Sequence, residues 1–271
     1  MSASAATGQT LIVVAEAEEE RRRREDWRRR FDSVAGLYDA TRQGYPPELV
    51  DEVCTTAGLG PGAAVLEIGC GTGQLTRQLA GRGFSLTAID IGAAMVETAR
   101  RNVPDPLVRF EVCSFEDFPG NGPYDLIVSA TAFHWVDPSV GWVKTARLLR
   151  RGGWLALLST GELYPEPLRT QLQDQWIRYS RRTVRAADLP AWVAGLRETV
   201  LFGEPVELRR TDPLRLPATA VIGLERTRAT FLSYSEQDQA DFTADLSALL
   251  EPGSQVDAVQ VTLLSMAPKA A

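Results

Sequence analysis

Short apolar runs alternate with longer segments through the middle of the chain, and the runs have the length of strands. They begin at residue 65 and then cover residues 84–90, 107–112, 124–130 and 154–159. The segments between them predict helices over residues 74–81, 93–103 and 138–149. Regular alternation of this kind is typical of a parallel sheet whose crossovers are helices.

The regions on either side of this core follow a different pattern. A helix closed by Gly58 is predicted before the first strand, with an apolar face made by Leu49, Val50, Val53, Cys54 and Ala57. After the fifth strand, residues 160–202 predict a helical insert rich in arginine and aromatic residues. Beyond the insert we expect a strand pair or hairpin arm at 204–216, helices at 218–232 and 236–250, and a closing strand at 257–266.

The first strand runs into a loop with one acid and three alternating glycines, Glu67-x-Gly69-x-Gly71-x-Gly73. Glycine has no Cβ and tolerates positive φ, so the backbone can turn off the strand and lie against a ligand. The second predicted strand ends in Asp90, about 20 residues further on, where an acid can accept both hydroxyls of a ribose. The two halves together predict a site for an adenosine-containing cofactor.

The glycine spacing bears on which cofactor this is. Dinucleotide loops use Gly-x-Gly-x-x-Gly and bring a pyrophosphate to a helix N-terminus. A carboxylate at Glu67 would repel a pyrophosphate, whereas it suits a cationic ligand. The pattern resembles motif I of the class I S-adenosylmethionine (SAM)-dependent methyltransferases of the small-molecule type. A structural strand-turn-helix in an unrelated α/β protein is the alternative, and the pairing with Asp90 disfavours it.

The resemblance implies a fold for the whole chain after residue 26. We expect an α/β protein with a Rossmann-like, doubly wound, mostly parallel seven-stranded sheet and helices on both faces. An N-terminal helical lid and a helical cap insert after the fifth strand would complete it. Residues 1–26 would be a partly disordered or helical extension, residues 27–271 the methyltransferase domain, and residues 160–202 the substrate cap.

The resemblance also assigns cofactor contacts. Glu67 would lie near the aminoacyl end of SAM, Asp90 would take the ribose hydroxyls, and Ile91 would pack on adenine. Adenine N6 would meet a side chain after the third strand, from Ser114, Phe115 or Glu116. For Phe115, ordinary core packing is an equal alternative. The remaining expected cofactor contacts are Gly69, Gly71, Gly73, Gln74, Met95 and Thr131.

A lid is implied by the segment at residues 27–47, which resembles the one preceding the core in small-molecule methyltransferases. It has a Phe-x-x-x-Ala-x-x-Tyr-Asp start and an Arg-x-x-Tyr-Pro end. Seating of a helix on the core by Phe31 and Leu37 is the structural alternative, and we expect both roles. The candidate substrate or lid residues are Tyr38, Arg42, Tyr45, Phe133, Trp135, Tyr179 and Arg182.

His134 follows the fourth predicted strand and is the only histidine in the chain. Histidine alone has an unperturbed pKa near neutrality, so a catalytic base beside the methyl group is one hypothesis. The other is that His134 lines the pocket, as in relatives that resemble trans-aconitate methyltransferases, whose carboxylate acceptors need no base. We slightly favour the pocket-lining role.

Composition excludes several other classes. A formal net charge of −6 argues against nucleic acid as the main partner. No apolar stretch approaches the roughly 18 residues of a membrane span. Three cysteines without metal-ligand spacing or an even count predict a reducing cytoplasm and no metal site. The basic residues are nearly all arginine, with lysine only at Lys144 and Lys269, which we attribute to codon bias.

The sequence therefore predicts a SAM-dependent methyltransferase that acts on a small molecule, with specialised metabolites as one candidate class. A SAM-binding protein that catalyses another reaction, such as cyclisation, or only binds, is the alternative. A nicotinamide dehydrogenase is disfavoured by Glu67 and the glycine spacing. The acceptor, the atom methylated and the oligomeric state are left open.

Overall fold

The computed structural model describes residues 29–120, 122–180 and 191–271, together with residues 19, 22, 25 and 26. Its centre is a seven-stranded sheet in the order β3-β2-β1-β4-β5-β7-β6. The strands are β1 Ala64–Ile68, β2 Ser85–Asp90, β3 Val108–Val112, β4 Tyr124–Ala130, β5 Leu149–Leu163, β6 Val206–Pro217 and β7 Gln255–Pro268. Strands β1 to β5 pair in parallel, and β7 runs antiparallel to both β5 and β6.

Helices occupy most of the connections between these strands. They are α1 Ala35–Thr41, α2 Pro47–Thr56, α3 Thr76–Leu79, α4 Ala93–Asn102, a 3-10 helix Phe133–Trp135, α5 Pro138–Leu148, α6 Leu168–Ser180, α7 Ala191–Glu198, α8 Ala218–Arg226, α9 Ala229–Leu232 and α10 Glu236–Leu249. Pro47 and Pro138 stand at the first helical position, where a missing N–H costs nothing.

The sheet buries both of its faces, which is why its strands are nearly continuous apolar runs. Successive β1 residues point to opposite sides. Val65 packs with α2 and α3, while Leu66 and Ile68 pack with α5 and α7. This confirms the predicted α/β class, with a mostly parallel seven-stranded sheet and helices on both faces.

Several predicted elements have different bounds in the structure. Strand β5 begins at Leu149 instead of residue 154, and its pairing with β4 contains a register shift between Leu149 and Trp154. Helix α3 is shorter than the predicted 74–81, since residues 71–75 form turns. The helix predicted at 218–232 is two helices that break at Thr227 and Arg228.

Helices α6, α8, α9 and α10 share a third apolar core beyond the end of the sheet, which we call the helical layer. A buried carboxylate lies within it. Glu225 accepts hydrogen bonds from the Trp176 indole at 3.0 Å and the Tyr164 hydroxyl at 3.2 Å, and it pairs with Arg228. Helix α6, which lies within the predicted insert, therefore packs with the C-terminal helices, while the bounds of 160–202 and the cap role stay predictions.

Within the described part of the chain, no helix combines the length and apolar character needed to cross a bilayer.

We predict that Gly69→Ala destabilises the protein by about 2–4 kcal/mol, as measured by urea unfolding. Gly69 has φ +73°, and an added Cβ would lie 2.3 Å from Ala132 Cβ, across the loops that follow β1 and β4. Gly58→Ala is the matched control, because Gly58 has φ +63° but no atom within 4 Å of the added Cβ. It should lose only the backbone contribution, about 1–2 kcal/mol. Equal losses at the two positions would show that the Ala132 contact is relieved at no cost.

Candidate functional site

Two adjoining cavities open at the carboxyl edge of β1, β2 and β4. The first holds about 730 Å³ of empty space and the second about 410 Å³, with the parts open to solvent included. The cavities share five lining residues, Tyr38, Gly69, Gly71, Ala130 and Thr131. We call these shared residues the junction. Ligands of open parallel sheets bind at this edge, so the cavities mark the candidate site.

The three loop glycines do different work. Gly71 has φ +54°, and the atom nearest to an added Cβ is a Tyr38 ring carbon at 3.8 Å, so the backbone there faces open cavity. Gly73 lines neither cavity. A Cβ added there would lie 3.4 Å from Ala99 and Val103, so this glycine packs against α4. The predicted role of Gly71 beside a ligand fits this geometry, whereas the structure gives Gly73 a packing role.

Asp90 connects the two strand ends. One carboxylate oxygen accepts the Gly71 N–H at 3.0 Å, and the other accepts the Gly92 N–H at 2.8 Å. A carboxylate has about four lone-pair positions, so these bonds leave acceptor capacity for a ligand's hydroxyls. Asp90 lines the first cavity, as predicted for a ribose ligand.

The first cavity has apolar walls and one polar end. Ile91, Met95 and Phe115 line it, and Phe115 is only 3% exposed within the core beneath α5. The burial of Phe115 agrees with core packing, while its contact with adenine stays a prediction. Ser114 and Glu116 supply the polar end, with the Ser114 hydroxyl donating to Asp117 at 2.8 Å.

Lys144 holds this polar end in place through hydrogen bonds to two backbone carbonyls, and it was not predicted as a site residue from the sequence. Its ammonium donates to the carbonyl oxygens of Glu116, at 2.9 Å, and of Phe118. The side chain is buried, and desolvation lowers the pKa of its amine. Lys144 is one of only two lysines in an arginine-rich chain. That rarity was the available signal, and attributing it to codon bias set it aside.

The second cavity has a buried carboxylate on its wall. The Glu67 side chain is 1% exposed, and one of its oxygens accepts the Thr76 hydroxyl at 2.7 Å. Burial raises the pKa of Glu67 from 4.5 to about 8, so the group is mostly neutral at pH 7. Gln74 lines the same cavity and donates to the Thr72 hydroxyl at 2.7 Å.

Arg42 also lines this cavity and supplies a positive charge. It lies over the Tyr38 ring at 5.2 Å, and its Nε donates to the Thr227 hydroxyl at 3.0 Å. Among the described residues, no carboxylate lies within 4 Å of its guanidinium. The second cavity therefore combines a cation without an acidic partner and a carboxylate that a cationic ligand would ionise.

Thr131 has a strained backbone at the junction. Its φ is +55°, the only positive φ of a non-glycine residue among those described, and β-branched side chains avoid that region. Its N–H donates to the Leu158 carbonyl at 2.8 Å, and its hydroxyl lies 3.2 Å from the Tyr45 hydroxyl. Such strain costs about 1–3 kcal/mol and is concentrated at functional sites in proteins.

The three side chains of the 3-10 helix after β4 lie in different environments. Trp135 lines the first cavity, Phe133 is buried against Trp142 with ring centroids 4.9 Å apart, and His134 is exposed and lines neither cavity. Partial desolvation of the imidazole lowers the pKa of His134 from 6.5, so its neutral form dominates at pH 7.

The segment before α1 reaches over the first cavity. Phe31 lines it and meets Trp135 edge-on, with centroids 5.8 Å apart. Asp32 then caps α4 from outside, accepting the N–H groups of Ala94 at 2.6 Å and Met95 at 3.1 Å. Phe31 was expected both to belong to a lid and to seat a helix on the core, whereas the cap from Asp32 was not predicted.

Two candidates lie apart from this arrangement. Tyr179 is in the helical layer, where its hydroxyl donates to Asp245 at 2.8 Å and its ring packs on Phe242. Arg182 lies outside the described residues. Among the residues that the structure describes, no cluster of histidine, cysteine, aspartate and glutamate could hold a metal ion.

Comparison with known proteins identifies the central segment. Residues 65–153 match the family model described as a methyltransferase domain. An uncharacterized methyltransferase of Mycobacterium tuberculosis strain H37Rv is 36% identical over 134 residues, covering 49% of this chain and 53% of that protein. A malonyl-[acyl-carrier protein] O-methyltransferase of Acetivibrio thermocellus is 36% identical over 102 residues, covering 36% of each. The chain thus spans about half, or less, of the relatives it matches.

Solved structures extend the likeness in fold to most of the chain. A type II methyltransferase candidate from Anaeromyxobacter dehalogenans has a TM-score of 0.59 and 21% identity, covering 84% of this chain and 97% of its own. The YcgJ protein of Bacillus subtilis has a TM-score of 0.54 and 17% identity, with 82% and 98% covered. Similarity of this kind confirms the Rossmann-like architecture.

We predict that Asp32→Ala destabilises the protein by about 0.5–2 kcal/mol and speeds amide exchange at Ala94 and Met95, because α4 loses its only side-chain cap. Hydrogen exchange and urea unfolding measure the two effects. Asp26→Ala is the control, since Asp26 makes an exposed pair with Arg30 at 3.1 Å whose loss costs at most about 0.5 kcal/mol. Equal behaviour of the two variants would remove the cap from the account.

Proposed function

The chain carries a domain of the class I SAM-dependent methyltransferase family over residues 65–153, and we propose that it transfers the SAM methyl group to a small-molecule acceptor. The observation that carries the proposal is the pair of adjoining cavities, whose chemistry matches the two halves of SAM.

The first cavity suits the adenosine half. Asp90 has acceptor capacity for the ribose hydroxyls after binding two backbone N–H groups. Ile91 and Met95 offer flat apolar contact for a base. Ser114 and Glu116 lie at the polar end, where an exocyclic amine would need an acceptor.

The second cavity suits the amino-acid half, which carries an ammonium and a carboxylate. Glu67 would meet the ammonium, and Arg42 would meet the carboxylate. Among the described residues, neither side chain forms an ion pair. A dinucleotide would bring a pyrophosphate instead, and Glu67 opposes that ligand.

The junction would then lie beside the sulfonium. When bound, SAM would supply an electrophilic methyl group, whose transfer is an in-line displacement at the methyl carbon with the thioether sulfur of S-adenosylhomocysteine as the leaving group. The chain's contribution is to hold the acceptor atom about 3–3.5 Å from that methyl and to exclude water. Tyr38, Thr131 and the glycine backbone form this surface, and Phe31 and Trp135 cover it.

The junction bears on the class of acceptor. Burial raises the pKa of the Tyr38 hydroxyl, and the other shared residues have no group that accepts a proton near pH 7. An acceptor that is ionised beforehand, such as a carboxylate, needs no base. The malonyl-[acyl-carrier protein] O-methyltransferase among the relatives supports this choice. Specialised metabolites remain one candidate source of such acceptors.

Calorimetry with SAM and with NAD tests the cofactor assignment, and transfer of labelled methyl to a panel of carboxylic acids tests the reaction. We expect SAM alone to bind, and Gly71→Ala to lose that binding while it keeps the fold. Titration of SAM in two buffers of different ionisation enthalpy should also show proton release. Binding of NAD in place of SAM, or SAM binding without methylation of any acceptor, would contradict the proposal at separate steps.

The proton release has a definite sign. The pKa of Glu67 is raised by burial, so the group is mostly protonated at pH 7 in the free protein, and a bound ammonium favours the carboxylate. SAM affinity should therefore rise between about pH 6 and 7.5, below the range in which an α-amine titrates. Close to one proton should leave per SAM near pH 7. Glu67→Gln should abolish the release, and an unchanged release in that variant would assign the proton elsewhere.

We predict that His134→Gln keeps its turnover within a few-fold of the parent, because the imidazole is exposed and lines neither cavity. A general base would give a rate that falls below its pKa, and the variant would lose that acid limb. Since the pKa of His134 is lowered, the limb of a base would also lie below its usual position. The pH dependence of kcat measures this. A loss of about 10²–10⁴ in kcat with the acid limb gone would make His134 the base.

A further inference from the structure

Arg42 is oriented by one residue of the helical layer. Its Nε donates to the Thr227 hydroxyl at 3.0 Å, and its Nη2 donates to the Thr227 carbonyl at 3.3 Å. The two residues are 185 positions apart in sequence. A guanidinium has five N–H donors in a rigid fork, so holding one edge fixes the direction of the others. No other hydrogen bond joins the Arg42 guanidinium to a described residue.

Thr227 is itself held so that it can only accept from Arg42. It is fully buried, and its hydroxyl proton goes to the Leu224 carbonyl at 2.8 Å. The hydroxyl lone pairs are therefore left for the Arg42 Nε–H. Its carbonyl is available because α8 ends at Arg226, and the backbone leaves the helix at the break before α9.

The neighbouring residues fix the break in space. Arg228 pairs with Glu225 at 2.7 Å and with Glu162 of β5 at 3.0 Å, and both carboxylates are buried. Gly223 lets α8 approach α1 closely, because a Cβ there would lie 2.4 Å from the Thr41 methyl. The break is thus anchored to the sheet on one side and to the lid helix on the other.

We propose that Thr227 is a positioning residue that aims Arg42 at the carboxylate of the cofactor's amino-acid half. The inference rests on the proposed function. It makes affinity for that half of the cofactor depend on the helical layer, which lies outside the segment that matches the methyltransferase domain. Adenosine binding, which uses the ends of β2 and β3, does not depend on it.

The test compares two ligands that share the adenosine half. S-adenosylhomocysteine carries the amino-acid half, and 5′-methylthioadenosine lacks it. Thr227→Val keeps the shape of the side chain and removes the hydroxyl. We expect it to weaken S-adenosylhomocysteine binding about tenfold, the size of a hydrogen bond to a charged group, and to leave methylthioadenosine binding unchanged in calorimetry.

Further variants test whether the loss of affinity is specific to the Thr227 hydroxyl. Thr227→Ser should restore S-adenosylhomocysteine affinity because it restores the hydroxyl. In an Arg42→Met background, Thr227→Val should have no further effect, since residues that act through one another are not additive. Thr145→Val is the matched control. Thr145 is a buried threonine of α5 whose hydroxyl has no hydrogen-bond partner among the described residues. Should Thr227→Val unfold, Thr227→Ala removes the same hydroxyl from a smaller side chain.

Each outcome either supports or overturns the proposed role of Thr227. Selective loss of S-adenosylhomocysteine affinity with rescue by serine supports the proposal. Equal weakening of both ligands, no weakening, or additivity with Arg42→Met overturns it while leaving the proposed cofactor in place. Failure of the parent protein to bind S-adenosylhomocysteine overturns the proposed function and this inference with it.

Discussion

The Asp90 carboxylate is the contact on which the rest of the site depends. It binds the Gly71 amide on one side and the Gly92 amide on the other, and so joins the glycine loop after β1 to the start of α4. Parallel pairing of β1 with β2 brings these chain segments together, because parallel strands end at the same edge. The glycine loop lines both cavities, and the loop after β2 lines the first.

The carboxyl and guanidinium side chains of the second cavity, Glu67 and Arg42, form no ion pair with another described residue. Glu67 accepts from the Thr76 hydroxyl and burial raises its pKa, while Arg42 has hydrogen bonds to Thr227 and no acid within 4 Å among the described residues. Burying a carboxylate with so little compensation destabilises the free protein as pH rises from about 4.5 through 8, since the unfolded chain loses its proton first. A ligand with an ammonium and a carboxylate would relieve both conditions.

The helical layer adds a second level of organisation. The buried Glu225 accepts from Tyr164, Trp176 and Arg228, so it draws β5, α6 and the break after α8 into one network. The N-terminal segment packs on this layer where α1 approaches Gly223, and it contacts α4 through Asp32. Because the same segment contacts both, changes in the helical layer can reach the cavity without touching the glycine loop.

Much of this was determined by local sequence. The five parallel strands, the glycine loop and Asp90 follow from apolar runs, from the backbone freedom of glycine and from a fixed spacing, all of which act over short stretches of chain. Tertiary contacts decided the rest. The break at Thr227, the cap from Asp32, the ammonium of Lys144 under the polar turn and the place of Tyr179 in the helical layer leave no local pattern. Each depends on a partner at least 26 residues away, and only folding chooses that partner.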